Sequence, residues 1–341
     1  MHGVDASGQV VLRRQLRRAE VVKFFAKLPP CLVGLEACAT AHYWGREIAA
    51  LGHAVRLMPP TRVKPYVRWG KKNDKVDAQA CCEAVSRPSM QFVPLKSVPE
   101  QRAPMVHRAR QLLVGQRTQL GNAIRAQLAE LGIIARRGQA GLAALLTMIE
   151  NPQNPQVPPA IRPVVAVLAA QWRALGPQIA ALERQILAGH RDNADSRRLA
   201  TIPQFGPILS SALVATAGDA RRFNSGRQFA AWLGLVPRQN STGGKDRLVG
   251  LQPTGLSRGG ITKAGDRYLR QLLVVAATGL IGRARAHPDK HPWFARLLAR
   301  MPARKAAVAL ANKMARIAWA LLVNRTTCRA PAAPQPANQP A

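Results

Sequence analysis

The stretch CLVGLE, residues 31–36, decides the fold of the first part of the chain. It is a short apolar run, which is typical of a buried β-strand. A helical pattern follows over 41–51, and a second apolar run, AVRLM, occupies 54–58 before the breakers Pro59 and Pro60. Strands that alternate with helices at this spacing predict an α/β sheet.

Two further elements precede this stretch. The sequence QVVLRRQLR at 9–17 predicts a strand that follows a turn at 5–8, and the sequence AEVVKFFAKL at 19–28 predicts a helix. Together with the later elements they extend the predicted α/β domain over 1–97.

The rest of the chain has a helical pattern. Segments rich in Gln, Arg, Leu and Ala fill about 99–150, a Pro-rich interruption covers 151–163, and a second long helix is predicted over 164–190. We expect the helices on either side of the interruption to pair as an antiparallel, coiled-coil-like hairpin. The predicted fold class is therefore α/β plus all-α.

After about residue 196 the chain predicts a third, mostly helical region. Its pattern gives a helix ending near Leu235, a Gly/Ser/Thr-rich loop at 240–260, and helices near 261–285 and 302–324. The Pro/Ala/Gln-rich tail predicts disorder. The predicted domains are 1–97 (α/β), 98–195 (helical arm), 196–329 (basic helical domain) and 330–341 (tail).

The charge balance indicates the partner. The 341 residues include 50 Lys plus Arg and 17 Asp plus Glu, which gives a net charge of +33. A fold with this much like charge repels itself unless a polyanion neutralises it, and nucleic acid is the polyanion that fits. An anionic membrane is the alternative, but the sequence shows neither a Lys-rich amphipathic anchor nor an apolar run of about 18 residues.

Five cysteines, an odd number, predict a reduced, cytoplasmic setting in which the thiols are buried and inert. With nucleic acid as the expected partner, the predicted location is cytoplasmic and nucleoid-associated. Trp232, Trp293 and Trp319 are expected to pack in the core.

Three carboxylates are candidate metal ligands. Glu36 ends the apolar run at 31–36, where a buried charge is costly unless it is paired or bound to a metal. Asp74 and Asp77 are three residues apart at the predicted start of a helix, so they share one face. Such oxygen ligands suit Mg²⁺. Alternatively, Asp74 is a helix N-cap and Asp77 a favourable charge in the first turn.

A loop at 237–245, PRQNSTGGK, is a candidate for phosphate chemistry. Its glycines allow a phosphate to approach the backbone, Lys245 and the nearby Arg247 can neutralise it, and Ser241 offers a hydroxyl nucleophile. Because the neighbouring sequence contains no base for Ser241, the motif by itself favours a polar linker over a nucleophile.

Two further features predict phosphate contacts. Lys263, Arg267 and Arg270 have helical spacing, which fits either a phosphate-binding face or a solvated cationic face. The sequence TIPQFGP at 201–207 predicts a helix-hairpin-helix turn in which Gly206 offers its backbone N–H to a phosphate, although Gln204 stands where a glycine is usual.

In combination, these motifs resemble the DEDD transposases, the bridge-RNA-guided insertion-sequence family that includes the Piv invertases. The matching stretches, in this order over about residues 2–325, are GLEACAT at 34–40, LMPPTRVKPYV at 57–67, KNDKVDAQA at 72–80, FAAWLGLVPRQNSTGGKDR at 229–247 and ITKAGDRYLRQLL at 261–273.

The resemblance implies a RuvC-like (RNase H-like) domain, a central coiled coil and a C-terminal transposase domain. It implies that Glu36, Asp74 and Asp77 are the second, third and fourth Mg²⁺ ligands of a tetrad. It also implies that Ser241 attacks DNA to form a phosphoserine, with Thr242 as the neighbouring alternative. The implied partners are DNA, a guide RNA and further copies of the chain.

Two departures from the family pattern bear on activity. The first Asp of the tetrad belongs to a strand upstream of residues 2–5, and Asp5 lies in the turn after that strand. In addition, residues 249–259 resemble an insertion close to Ser241. We therefore expect the chain as written to have a loosened first domain and little activity. Two other functions stay open: an inactive nucleic-acid-binding remnant, and a RuvC-type junction nuclease that needs the carboxylates but not Ser241.

Overall fold

The computed structural model describes residues 1–67, 73–238 and 260–328, and the chain divides into two units, Met1–Gln101 and Arg102–Ala341. The described residues are mostly helical. The predicted boundary near 195 lies inside the second unit.

The first unit holds two small sheets among its described residues. Its strands are β1 (His2–Val4), β2 (Val10–Arg13), β3 (Leu32–Glu36) and β4 (Ala54–Met58). β1 pairs antiparallel with β2, and β3 pairs parallel with β4. Its helices are α1 (Val21–Phe25), α2 (Ala41–Ala50), α3 (Pro60–Val63) and α4 (Asp74–Val85).

The β3–α2–β4 unit confirms the strand–helix–strand prediction, with Glu36 opposite Met58 in the parallel register. The predicted strand over 9–17 was too long, because β2 ends at Arg13. A turn of 3₁₀ helix follows at Arg18–Glu20, and its Glu20 carboxylate accepts a hydrogen bond from the backbone N–H of Arg17 at 2.8 Å. Instead of one α/β sheet, the described residues form two separate two-stranded sheets.

Helix α4 packs closely on β3 because Gly34 has no side chain. A Cβ at Gly34 would lie 2.8 Å from the Cβ of Val85 in α4. Ala80 and Ala84 of α4 are also buried, in a cluster with Met58 of β4. The second half of α4 is thereby fixed against the middle of β3.

The described helices from residue 98 onward are α5 (Val98–Ala129), α6 (Gln139–Glu150), α7 (Arg162–Asp192), α8 (Ala194–Leu199), α9 (Pro207–Ala217), α10 (Gly226–Trp232), α11 (Arg267–Ala286), α12 (Pro292–Arg300) and α13 (Ala303–Asn324).

The predicted antiparallel hairpin is confirmed by the contacts between α5 and α7. Arg110 near the start of α5 meets Glu183 near the end of α7, and Arg117 lies over the ring of Trp172. Near the other end of α5, Leu128 shares a buried cluster with Val165 from the start of α7. We refer to α5, α6 and α7 as the helical arm.

The remaining helices enclose the largest buried cluster of the described residues, which includes Phe229, Leu269 and Met314. By length and composition α13 could cross a membrane, which corrects the expectation that the sequence contains no such apolar run. Its apolar side faces this cluster, where Ala311, Met314 and Ala315 are buried, as in the core helix of a folded domain.

Two sequence expectations about side chains need correction. Cys31 and Cys38 are exposed, so not all thiols are buried. Trp319 and Trp232 pack against the core as expected. Trp293, in contrast, is 37% exposed, and the Lys313 ammonium lies 4.0 Å from its ring centroid.

Candidate functional site

Glu36 and Asp77 converge on one thiol. Glu36 is the last residue of β3, and Asp77 lies in the first turn of α4. Burial, followed by the negative charges of Glu36 and Asp77, raises the pKa of the Cys81 thiol to about 11. Both carboxylates, 41 positions apart in sequence, therefore lie within electrostatic reach of the same thiol.

Asp74 does not occupy the N-cap position of α4, which the capping interpretation requires. The N-cap of α4 is Asn73, whose side-chain oxygen accepts a hydrogen bond from the backbone N–H of Val76 at 3.0 Å. Asp74 is therefore the first helical residue, and the capping interpretation is wrong for it. A carboxylate in the first turn still benefits from the helix dipole.

The donor set fits Mg²⁺ in its chemistry, because Glu36 and Asp77 offer hard oxygen ligands on adjoining elements. Among residues 1–67, 73–238 and 260–328, no group of three or more His, Cys, Asp or Glu side chains is arranged to hold a metal ion. The metal role of Glu36, Asp74 and Asp77 thus stays a prediction.

The serine loop itself lies outside the described residues, and this applies to Ser241, Thr242, Lys245 and Arg247. Its two ends are side by side. Arg238 donates its backbone N–H to the carbonyl of Gly260 at 3.3 Å, and Thr262 donates to the carbonyl of Val236 at 2.8 Å. The backbone therefore enters the serine loop and returns from it at neighbouring positions.

Two glycines make the base of this loop possible. A Cβ at Gly265 would lie 2.0 Å from the carbonyl oxygen of Trp232, and one at Gly234 would lie 2.7 Å from the backbone nitrogen of Ala264. Arg270 secures the same turn by donating to the carbonyls of Leu233 at 3.1 Å and Gly265 at 3.2 Å.

The predicted helical face of Lys263, Arg267 and Arg270 is wrong. Helix α11 begins only at Arg267, because the Asp266 side chain caps it by accepting from the N–H of Leu269 at 3.0 Å. Lys263 precedes the helix with a φ of 55°, and Arg270 is half-buried in the bonds described above. Lys263 and Arg267 are exposed.

The turn between α8 and α9 is the segment for which a helix-hairpin-helix is predicted. Gln204 adopts a left-handed φ of 71°, which explains why a glycine is usual at this position. Gly206 is the N-cap of α9, and a Cβ there would meet no atom within 4 Å. The approach to the backbone at Gly206 is open, as phosphate binding requires.

A chain of hydrogen bonds that the sequence did not reveal connects four helices of the second unit. Ser211 on α9 donates to the carbonyl of Pro207 at 2.6 Å, so its oxygen accepts from Nε2–H of His107 on α5 at 3.0 Å. The Nδ1 atom of His107 then accepts from the Tyr268 hydroxyl on α11 at 3.2 Å.

Arg110 extends this chain to α7. Its guanidinium bonds to the Tyr268 side chain, and its Nε and Nη2 atoms donate to Glu183 at 2.8 and 2.6 Å. Burial, and then the charge of Arg110, lowers the pKa of His107 to about 4. The neutral imidazole is therefore the form that the network holds at pH 7. The partners of His107 are more than 100 positions away, so no local motif could have indicated them.

The sequence is similar to known transposases over almost its entire length. Residues 196–292 match the family described as Transposase IS116/IS110/IS902 family. A protein of Pseudomonas aeruginosa described as "Probable family 20 transposase" is 50% identical over 97% of this chain and 95% of its own length.

Two further relatives have similar coverage. The transposase for insertion sequence element IS1328 of Yersinia enterocolitica is 38% identical over 96% of this chain and 94% of its own length. The transposase for insertion sequence element IS1111A of Coxiella burnetii is 36% identical over 96% of this chain and 87% of its own length.

Proposed function

The chain belongs to the IS116/IS110/IS902 family of transposases, and we propose that it excises and integrates an insertion sequence by Mg²⁺-assisted cleavage and serine-linked strand transfer. The observation that carries the proposal is that Glu36 and Asp77 both act electrostatically on the Cys81 thiol, from a strand end and a helix start. The pairing of the two ends of the serine loop adds support.

Glu36 and Asp77, together with Asp74, would hold Mg²⁺. When bound, Mg²⁺ supplies positive charge to the phosphate oxygens during displacement. The chain contributes the fixed spacing, because Gly34 lets α4 lie directly against the strand that ends in Glu36. Burial of Cys81 with a raised pKa keeps its thiol protonated, so that it does not compete as an anionic ligand.

Ser241 is the proposed nucleophile. Its Oγ attacks a DNA phosphorus, the bond from phosphorus to the 3′ oxygen breaks, and the serine proton ends on the released 3′ hydroxyl. A 3′ hydroxyl of the recipient strand then attacks the phosphoserine and returns the proton to Ser241. The number of phosphodiester bonds is conserved, so no external energy source is needed.

The proposed partners are DNA, a guide RNA and further copies of the chain. The excess of 50 Lys plus Arg over 17 Asp plus Glu gives a charge that two nucleic acids can neutralise. Lys245, Arg247, Lys263, Arg267 and the open backbone at Gly206 are the proposed phosphate contacts. Arg270 is proposed to act by holding the base of the serine loop.

The test is a denaturation-resistant protein–DNA adduct, formed with Mg²⁺ and DNA carrying the element's ends. We expect Ser241→Ala to remove the adduct and Thr242→Ala to keep it. The reverse result would make Thr242 the nucleophile. Cleavage without any adduct would favour a RuvC-type nuclease.

The Pseudomonas aeruginosa relative serves as a parallel wild-type control. An adduct from the relative but not from this chain would favour the inactive nucleic-acid-binding remnant. No adduct from either protein would reject the serine-linked mechanism.

A further inference from the structure

We propose that the helical arm contains a binding site for a phosphate group, separate from the carboxylates and the serine loop. The site is a cleft of about 520 Å³ between α5, α6 and α7, called the arm cleft below. Its lining includes Arg110, Arg117, Arg125, Trp172 and Glu183. It lies within the second unit of the chain.

Two arginines in the arm cleft have donors without partners. The Nε atoms of Arg117 and Arg125 are buried, and neither has a hydrogen-bond acceptor in the described part of the chain. A buried donor without an acceptor is unfavourable, and a phosphate oxygen is a strong acceptor for a guanidinium. The arrangement therefore points to an anionic ligand.

The charge of the arm cleft supports the same ligand. Glu183 is the carboxylate in its lining, and it is already bonded to Nε and Nη2 of Arg110. Within the described ranges, Arg117 and Arg125 form no ion pair with a carboxylate. Arg125 donates to the carbonyl of Gly138, which fixes the side chain without neutralising it. Two positive charges thus stay uncompensated.

The shape of the arm cleft depends on small residues. Gly121 on α5 lets Leu142 approach, since a Cβ there would lie 2.9 Å from its Cδ2. On α7, Gly176 and Ala180 line the cleft and leave it open. The volume is within the range of about 300–1,000 Å³ usual for small-molecule sites, which is enough for a nucleotide unit. The Arg117 guanidinium, 4.3 Å from the centroid of the Trp172 ring, is held in place for the ligand.

The phosphate can come from a nucleic-acid strand or from solution, and the experiment distinguishes the two. The full chain is treated with an arginine-selective dicarbonyl reagent, alone, with inorganic phosphate, or with an eight-nucleotide oligothymidylate, at constant ionic strength. Modification of Arg117 and Arg125 is quantified by mass spectrometry. Protection by the oligonucleotide at far lower concentration than phosphate identifies a strand, and protection by phosphate alone identifies a free anion. No protection by either probe overturns the proposal.

Two matched pairs of variants test whether the arginines of the arm cleft contribute more to oligonucleotide binding than their share of the net charge. Arg117→Gln with Arg125→Gln should reduce the slope of log K against log salt for the oligonucleotide by about 1.4, from about 0.7 per phosphate contact. Arg108→Gln with Arg184→Gln removes the same charge from exposed positions on α5 and α7 and should leave the slope unchanged. An equal change of this slope in both pairs of variants would overturn the proposal.

Ala180→Leu is the third variant, because it fills the cleft and keeps every arginine. We expect it to weaken oligonucleotide binding while the thermal unfolding midpoint stays near that of the wild type. Unchanged binding in a folded Ala180→Leu variant contradicts the proposal. The Ser241 adduct is measured separately, so failure of the arm cleft and failure of the proposed transposition mechanism are distinguishable.

Discussion

His107 donates its Nε2–H to the hydroxyl oxygen of Ser211 across 3.0 Å, and this bond joins the helical arm to the first half of α9. The hydroxyl of Ser211 is already committed as a donor to the carbonyl of Pro207. Only the neutral imidazole satisfies both neighbours, because a protonated ring could not accept from Tyr268.

The first prediction is a loss of stability in mild acid. The pKa of His107 is lowered from 6.5 to about 4 in the folded chain, so between these values the unfolded chain binds more protons. Stability should therefore fall as the pH drops from about 6.5 to about 4, by up to about 3 kcal/mol from this group.

Urea unfolding at several pH values measures this loss. His107→Gln should flatten the pH dependence, while His287→Gln, at an exposed position on the same unit, should keep it. An identical pH dependence in the wild type and His107→Gln would refute the assignment.

The second prediction concerns the base of the serine loop. Gly265→Ala should lower the free energy of unfolding by about 1–3 kcal/mol, because the added methyl would collide with the backbone at Trp232. Gly260→Ala is the control, since a Cβ at Gly260 meets nothing within 4 Å. The comparison uses thermal or urea unfolding, and equal stability of the two variants would contradict the described turn.

The third prediction concerns the carboxylates. Asp77→Asn should abolish Mg²⁺-dependent strand cleavage and leave nucleic-acid binding intact, because a ligand is lost while the amide keeps the size of the side chain. Glu47→Gln on α2 is a charge-matched control in the same unit. If cleavage persists in Asp77→Asn, the carboxylate serves the helix dipole rather than a metal.

The fourth prediction concerns the charge of +33. Affinity for duplex DNA and for RNA should fall steeply and linearly on a plot of log K against log salt, because each phosphate contact releases counterions. Fluorescence anisotropy from low to moderate salt measures the slope. A nearly flat plot would show that phosphates do not dominate binding.

The sequence by itself determined the elements whose pattern is local. The apolar runs predicted β3 and β4, and helical periodicity with the Pro-rich interruption predicted α5 and α7. One local pattern gave a wrong prediction. Helical spacing placed Lys263 on α11, whereas Asp266 caps that helix and its first residue is Arg267, four residues after Lys263.

Tertiary structure alone decided which distant side chains meet. Glu36 and Asp77 both act on the Cys81 thiol because Gly34 permits close packing of α4 on β3. His107 finds Ser211 and Tyr268 because the helical arm packs against α9 and α11. The arm cleft exists because Gly121 lets Leu142 approach α5 and because the lining residues on α7 include the small Gly176 and Ala180. Periodicity identifies a helix and its apolar face, but the partner of that face depends on the register between elements far apart in the chain.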